Sequence, residues 1–309
     1  MRTLLRILRQ SGEHAAEAGE QAAGASGGGP PDIGGMLMHH LTDARELDLP
    51  VVGPVELPHF DPVHLGPLAL DLSPTKHVVF LVAAAIVTGG VFVLLGGLAR
   101  RKYGERAPGG FANAMEAMVL YFRDEVVRRN IGHGADRFTP LILTLFFFIL
   151  TMNLLGLVPW GATATGNLSV TAALAFVSLV VIEVSGFLEL GPAGYARTIF
   201  YAPAGMHPAG RALMMVIMTP VEFLGKLAKP FALAIRLFAN MTAGHTVVLS
   251  LLGMIFVFGN LALGRWAVAG GSVVMSVLIM LLEIFVAFLQ AYIFAMLTAV
   301  FIGLIRHAH

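Results

Sequence analysis

The chain has 309 residues, 57% of them hydrophobic and 13% charged, with a mean hydropathy of +0.79 and a net charge of +1. Soluble domains carry about 25% charged residues, and the apolar runs here are too long and too unbroken for barrel strands, which leaves a helical integral membrane protein. The balanced charge points to no nucleic-acid partner, and the absence of cysteine excludes disulfides, thiolate chemistry and Cys-based metal sites.

The N-terminal MRTLLRILRQ is basic but lacks the apolar core of a signal peptide. It reads as a short amphipathic helix or a mobile tail. Residues 11–35 are rich in Gly, Ala, Ser and Glu and end in GGGPPDIGG, so 1–35 is expected to be weakly structured. Residues 36–77 are Pro-rich and mixed. ELDLPVVGPVELPHF and LGPLALDLS predict two short extended segments, or a small hairpin, outside the bilayer. His39-His40 has no third ligand in view and predicts no metal site.

The membrane domain is expected over 78–306. Val78–Ala99 is the first span. Between Arg100 and Arg137 stand eight Lys/Arg residues, the densest basic loop, which the positive-inside rule assigns to the cytoplasm. The N-terminal region then lies outside. Within that loop, Met115, Met118, Val119, Phe122 and Val126 give a helix with one apolar stripe, expected on the membrane surface. Phe138–Trp160 and Leu168–Leu190 are the next spans, and Gly191–Arg211 returns to the cytoplasm.

The last hundred residues hold two apolar stretches too long for simple spans. Ala212–Leu263 would be about 78 Å as one helix and Trp266–Ile305 about 60 Å, against a core of about 30 Å. Each is either broken, with Pro230 and the Gly259 loop as candidate breaks, or long and strongly tilted. The total is five to six membrane helices, all-α, with no internal repeat of the transporter kind.

Within these stretches lie Glu222, Lys226, Lys229, Arg236, Asn240, His245, Glu283 and Gln290, with Glu183 in the third span. A charge at the bilayer centre costs roughly 2.5–3.5 kcal/mol or more, so Arg236 needs a partner, a watery cavity or a task. At 100° per residue, Glu222, Arg236 and Asn240 fall within about 40° of their neighbours on one face, and His245 about 180° from Arg236. Glu283 and Gln290 share a face within about 20°. Antiparallel packing across the Gly259 turn would bring His245 and Glu283 into one layer. The structural alternatives are an arginine bonded to carbonyls, interhelical glue at Asn240, His245 and Gln290, a satisfied acid at Glu183, and snorkelling Lys226 and Lys229. No HExxH, GxSxG or P-loop occurs, so neither an intramembrane protease nor a nucleotide site is indicated.

The stretch KPFALAIRLFANMTAGH resembles the signature segment of subunit a of F-type ATP synthases, matching it at Pro230, Leu233, Arg236, Leu237, Phe238, Asn240, Met241, Ala243 and Gly244. HHLTD at His39–Asp43, RDEVVRRNIG at Arg123–Gly132, NLLGLVP at Asn153–Pro159 and LQAYIFAMLTAVFIG at Leu289–Gly303 resemble further family motifs in order. The resemblance covers roughly residues 36–306. Two departures stand out. Ala232 replaces a common Ser, and His245 with Glu283 reverses a common Glu/His arrangement.

The resemblance implies a non-catalytic proton-conducting stator subunit of a bacterial-type inner membrane, with no cofactor. Its implied partners are a ring of c subunits carrying mid-membrane carboxyls, peripheral-stalk b-type subunits and lipid. Arg236 would face the ring. His245, Glu283, Asn240 and Gln290 would line an outer half-channel, and Glu222 an inner one, with Glu183 a secondary polar group. The alternative is a self-contained secondary transporter centred on Arg236 with Glu183 or Glu222.

The expected orientation is checked by labelling single engineered cysteines with an impermeant reagent. Tyr103→Cys should be protected in sealed cells and react only after lysis, as should a cysteine placed at His309. Labelling of position 103 from outside overturns the orientation.

Overall fold

The computed structural model describes residues 46–49, 53–58, 63–65, 68–70, 73–98, 110–158, 163–200, 207–258 and 264–306. The expectations for the tail 1–35 and for His39-His40 fall outside these residues. Ahead of the first long helix the chain forms two small hairpins. β1 (Glu46–Leu49) pairs antiparallel with β2 (Gly53–Glu56), and β3 (Val63–Leu65) with β4 (Leu68–Leu70). The sequence reading of two short extended segments or a small hairpin is met by two small hairpins.

Six longer helical elements follow among the described residues, besides short 3-10 helices at Ala135–Phe138 and Ala164–Gly166. They are α1 (Lys76–Leu98), α2 (residues 111–131), α3 (Thr139–Gly156), α4 (Leu168–Ile199), α5 (Pro208–Val257) and α6 (Gly264–Arg306). Among the described residues five helices are long and apolar enough to cross a membrane, all but α2. This is an all-α polytopic membrane protein. Its outward-facing side chains are largely apolar, as at Val82, Ile86, Val93 and Leu94 of α1, because the bilayer is their solvent.

α3 is the hub. Pro140 in its first turn removes an N–H that has no helical partner there anyway. Ile142, Leu145, Phe146, Ile149 and Met152 are buried. Phe147 meets Phe92 of α1 edge-on at 4.8 Å, and Thr88 donates to Thr151 at 3.0 Å. The helix α2 is regular over Phe111–Tyr121 and widens to a π-helix over Phe122–Arg128. Its apolar stripe does not face the membrane surface alone, as expected from sequence. Phe122, Val126, Val127 and Ile131 are buried, with Phe122 4.3 Å from Phe146 and 5.9 Å from Tyr292. On its outer side the Arg123 guanidinium, hydrogen-bonded to Asp124, holds that carboxyl below its usual value, with Arg128 adding to the effect. That link is present at neutral pH and is lost as pH falls through the lowered value.

A ridge of small residues lets α6 enter the bundle. Ala287, Ala291, Ala295, Ala299 and Gly303 recur every fourth residue, and all are buried. Small residues at that spacing let backbones approach, which matters where lipid supplies no hydrophobic drive between helices. At Gly303 the approach is so close that a Cβ would overlap the carbonyl oxygen of Asn130 in α2. The far end of α6 is tied down by Arg306, which is buried. It contacts Glu189 of α4 at 2.8 Å and donates to the His133 carbonyl at 2.9 Å, while Arg137 reaches the same Glu189 at 3.2 Å.

Two boundaries differ from the sequence reading. The third span does not stop at Leu190 but bends at Gly191 and runs on to Ile199. Gly191 has φ 68°, ψ 172°, a conformation only glycine adopts without strain, and Pro192 restarts the helix. The choice between broken and long helices resolves as long. α5 runs 50 residues through Pro220 and Pro230, and α6 runs 43 residues from Gly264 to Arg306. At about 75 Å, α5 fits a core of about 30 Å only by lying steeply oblique or projecting from it.

Gly303→Ala should push α2 off α6, costing about 1–3 kcal/mol by overpacking. Gly97→Ala, which adds its methyl to open space, is the control. The thermal midpoint of the purified assembly measures both. An unchanged midpoint in Gly303→Ala contradicts the close approach.

Candidate ion-path site

The polar residues of α5 divide into two groups separated by Arg236. The first lies toward the C-terminal end of α5. Asn240 donates from Nδ2 to Gln290 Oε1 at 3.1 Å, and Gln290 is 1% exposed. One face of α6 therefore presents Glu283 and Gln290 inward, both buried. His245 Nδ1 stands 4.0 Å from Glu283 Oε1, beyond hydrogen-bonding range. Gly244 makes room for this arrangement, because a Cβ there would overlap Glu283 Oε1. The antiparallel packing of α5 and α6 thus brings His245 and Glu283 into one layer.

The same region contains residues that the sequence reading did not single out. His245 Nε2 is 2.8 Å from the Gly156 carbonyl and 2.9 Å from Thr163 Oγ1. Thr165 donates to Asn153 Oδ1 at 2.8 Å, and Asn153 Nδ2 donates to the Ala287 carbonyl at 3.4 Å. His77, at the start of α1, contacts the Thr163 carbonyl at 3.1 Å. Asn153 could have been found, since an amide in an apolar span is a polar group needing a partner. Thr163, in the uncharged loop GATATGN, carried no such signal.

The second group lies nearer the start of α5. Lys226 Nζ donates to Glu183 Oε2 and to Thr198 Oγ1, each at 3.2 Å. Tyr195 donates to the same Glu183 oxygen at 2.5 Å, and its ring lies 4.6 Å from the Lys226 ammonium. The bend at Gly191 is what returns Tyr195 to Glu183 and Thr198 to Lys226. Lys226 therefore does not snorkel, contrary to the sequence reading; an acid, a hydroxyl and an aromatic face hold it inside. Lys229 is exposed and packs 5.1 Å over Phe301. Glu222 is exposed and lines a cavity with Glu183, Lys226, Lys229 and Thr198.

Arg236 is exposed and has no hydrogen-bond or ion-pair partner among the described residues. Its α5 neighbours Phe231 and Ile235 are exposed and apolar, as are Leu281, Leu282 and Phe285 on α6. Glu222 is about 21 Å away along the helix in one direction and His245 about 14 Å in the other. Glu183 is committed to Lys226, so it is not the counter-ion of Arg236, as a self-contained transporter site would use it. Among the described residues no group of three or more His, Asp and Glu could hold a metal ion.

The bundle, its two long C-terminal helices and its paired polar residues define a multi-pass α-helical membrane protein built around polar side chains on apolar helices. The family model described as ATP synthase A chain matches residues 77–303. The chain is 46% identical over 267 residues to "ATP synthase subunit a" of Chloroherpeton thalassium, covering 86% of this chain and 75% of that protein. It is 44% identical over 299 residues to "ATP synthase subunit a 2" of Prosthecochloris aestuarii, covering 96% and 87%. Against "ATP synthase subunit a" of Anaeromyxobacter dehalogenans it is 44% identical over 306 residues, covering 95% and 76%. The chain belongs to the ATP synthase subunit a family.

Removing one partner of the Glu183–Lys226 pair should cost more than removing both, because the single change strands a charge. Lys226→Met should lower the thermal midpoint of the assembly, and adding Glu183→Gln should recover part of the loss, with a coupling of about 0.5–3 kcal/mol. Simple additivity of the two changes contradicts the pairing.

Proposed function

We propose that this chain is the proton-conducting stator subunit of an F-type ATP synthase and does no bond-making chemistry itself. The reading carries over the names of its relatives and joins them to the layout of α5. The observation that carries it is Arg236, an exposed guanidinium without a partner on the described chain, standing between two separated polar groups. A charge at that depth needs a counter-charge, and the partner is a carboxyl on another subunit, the c ring turning against the α5–α6 face.

Arg236 is a permanent cation, with a guanidinium that stays protonated in proteins. Beside a carboxyl it favours the ionised form, so each passing ring carboxyl gives up its proton near Arg236. Beyond the arginine the carboxyl is re-protonated from the other side of the membrane. His245, Glu283, Asn240 and Gln290 form the outer half-channel. Glu222 and the cavity it shares with Glu183 form the inner one. The two are offset along α5, so a proton crosses only by riding the ring, and the fixed charge of Arg236 bars a direct leak. The b-type subunits of the peripheral stalk hold the chain against rotation. The orientation is that of a bacterial inner membrane, with the N-terminal region outside and the C-terminus in the cytoplasm. Residues 36–77 are the extramembrane segment and 78–306 the membrane domain.

Arg236→Ala should abolish ATP-driven proton pumping in vesicles while assembly is retained. Arg236→Lys should also be severely impaired, because an ammonium loses its proton more readily when desolvated. Near-normal pumping by either variant in a confirmed assembly overturns the role.

A further inference from the structure

The last four carbonyls of a helix have no intrahelical N–H to accept from. Gly156 ends α3, and its carbonyl is met by His245 Nε2 at 2.8 Å. A carbonyl oxygen only accepts, so Nε2 must carry the hydrogen. Thr163 Oγ1, 2.9 Å from the same nitrogen, accepts a share of the same N–H. A neutral imidazole has one N–H, so its lone pair is then on Nδ1. Nδ1 faces Glu283 Oε1 across 4.0 Å, and neither atom has a hydrogen-bond partner among the described residues.

We infer that Gly156 and Thr163 lock His245 in the Nε2–H tautomer, so that the imidazole loads and unloads protons through Nδ1 alone, toward Glu283. Thr163 is a positioning residue in this device. The inference rests on the half-channel reading above. In the step, the Nδ1 lone pair takes a proton from a hydronium ion of the outer side, which leaves as water, to give an imidazolium, while Nε2–H stays bonded to Gly156 and Thr163. The Nδ1 proton then passes to the Glu283 carboxylate. A neutral carboxyl and the starting tautomer result, the proton having come from the hydronium ion, and no other protein group changes its proton count.

The surroundings are built for this. Thr163 is itself held, since its carbonyl accepts from His77 Nδ1 at 3.1 Å. A Cβ on Gly156 would overlap the Thr163 hydroxyl, so the carbonyl and the hydroxyl reach Nε2 together only if residue 156 has no side chain. Among the described residues, Glu283 of α6 is the titratable group facing the ring. His77 of α1 faces the Thr163 carbonyl, and α3 contributes only the Gly156 carbonyl.

The test uses the assembled synthase in vesicles with ring-15N histidine, subtracting the spectrum of His245→Gln. The expected difference shows a protonated Nε2 and a bare Nδ1; a protonated Nδ1 with a bare Nε2 overturns the lock. Thr163→Val should slow passive proton conduction about fivefold, the effect of one hydrogen bond, and mix the tautomers. Thr163→Ser, which keeps the hydroxyl, should behave as the native chain. Should Thr163→Val fail to assemble, the native spectrum decides alone. If His245→Gln conducts normally, the half-channel reading fails and the inference with it. If His245→Gln is slow while Thr163→Val keeps both rate and tautomer, the lock alone fails.

Discussion

The close approach of α6 to its neighbours is the constraint on which the rest of the molecule depends. In lipid, side-chain burial between helices gains little, because the tails are as apolar as leucine. Contact then comes from backbones meeting over small residues, and Ala287 to Gly303 supply that ridge. The ridge begins one turn after Glu283, so the acid is drawn into the bundle with it. Gly244 on α5 is the matching recess. Without the ridge, neither Glu283 nor Gln290 would be held against α5, and the polar layer would have no wall.

The two polar groups on α5 are built differently. Around Glu183 the charges are matched, with an ammonium and a phenol meeting one carboxylate and the Thr198 hydroxyl accepting from the same ammonium. Around His245 and Glu283 they are left short of contact, with partners supplied only on the far side of the imidazole. A paired group holds helices together. A group with an open face is free to take up or release a proton.

Much of this was legible in the sequence. Apolar run length gave the spans, and the RLFANMTAGH stretch carried both the family resemblance and the polar residues of α5. Helical arithmetic put His245 opposite Arg236 and Glu283 with Gln290, since 3.6 residues per turn holds over a long helix. What stayed hidden depended on neighbours. Nothing local distinguishes a lysine that snorkels from one seated on Tyr195, so Lys226 was misread. The π-helical segment of α2 and its burial against Phe146 and Tyr292 likewise follow from tertiary packing. Gly191 followed by Pro192 looks like the end of a helix, yet the chain bends there and continues, because a glycine of positive φ can redirect a helix as well as stop one.

The two prolines inside α5 change what its backbone offers. Each removes the N–H that would have met the carbonyl four residues earlier. The carbonyls of Val216 and Lys226 are therefore acceptors that the helical ladder cannot fill. They bracket Glu222. Water admitted beside that acid would find two further oxygens on the main chain to bind, so hydration of this stretch is favoured by the backbone as well as by the side chain.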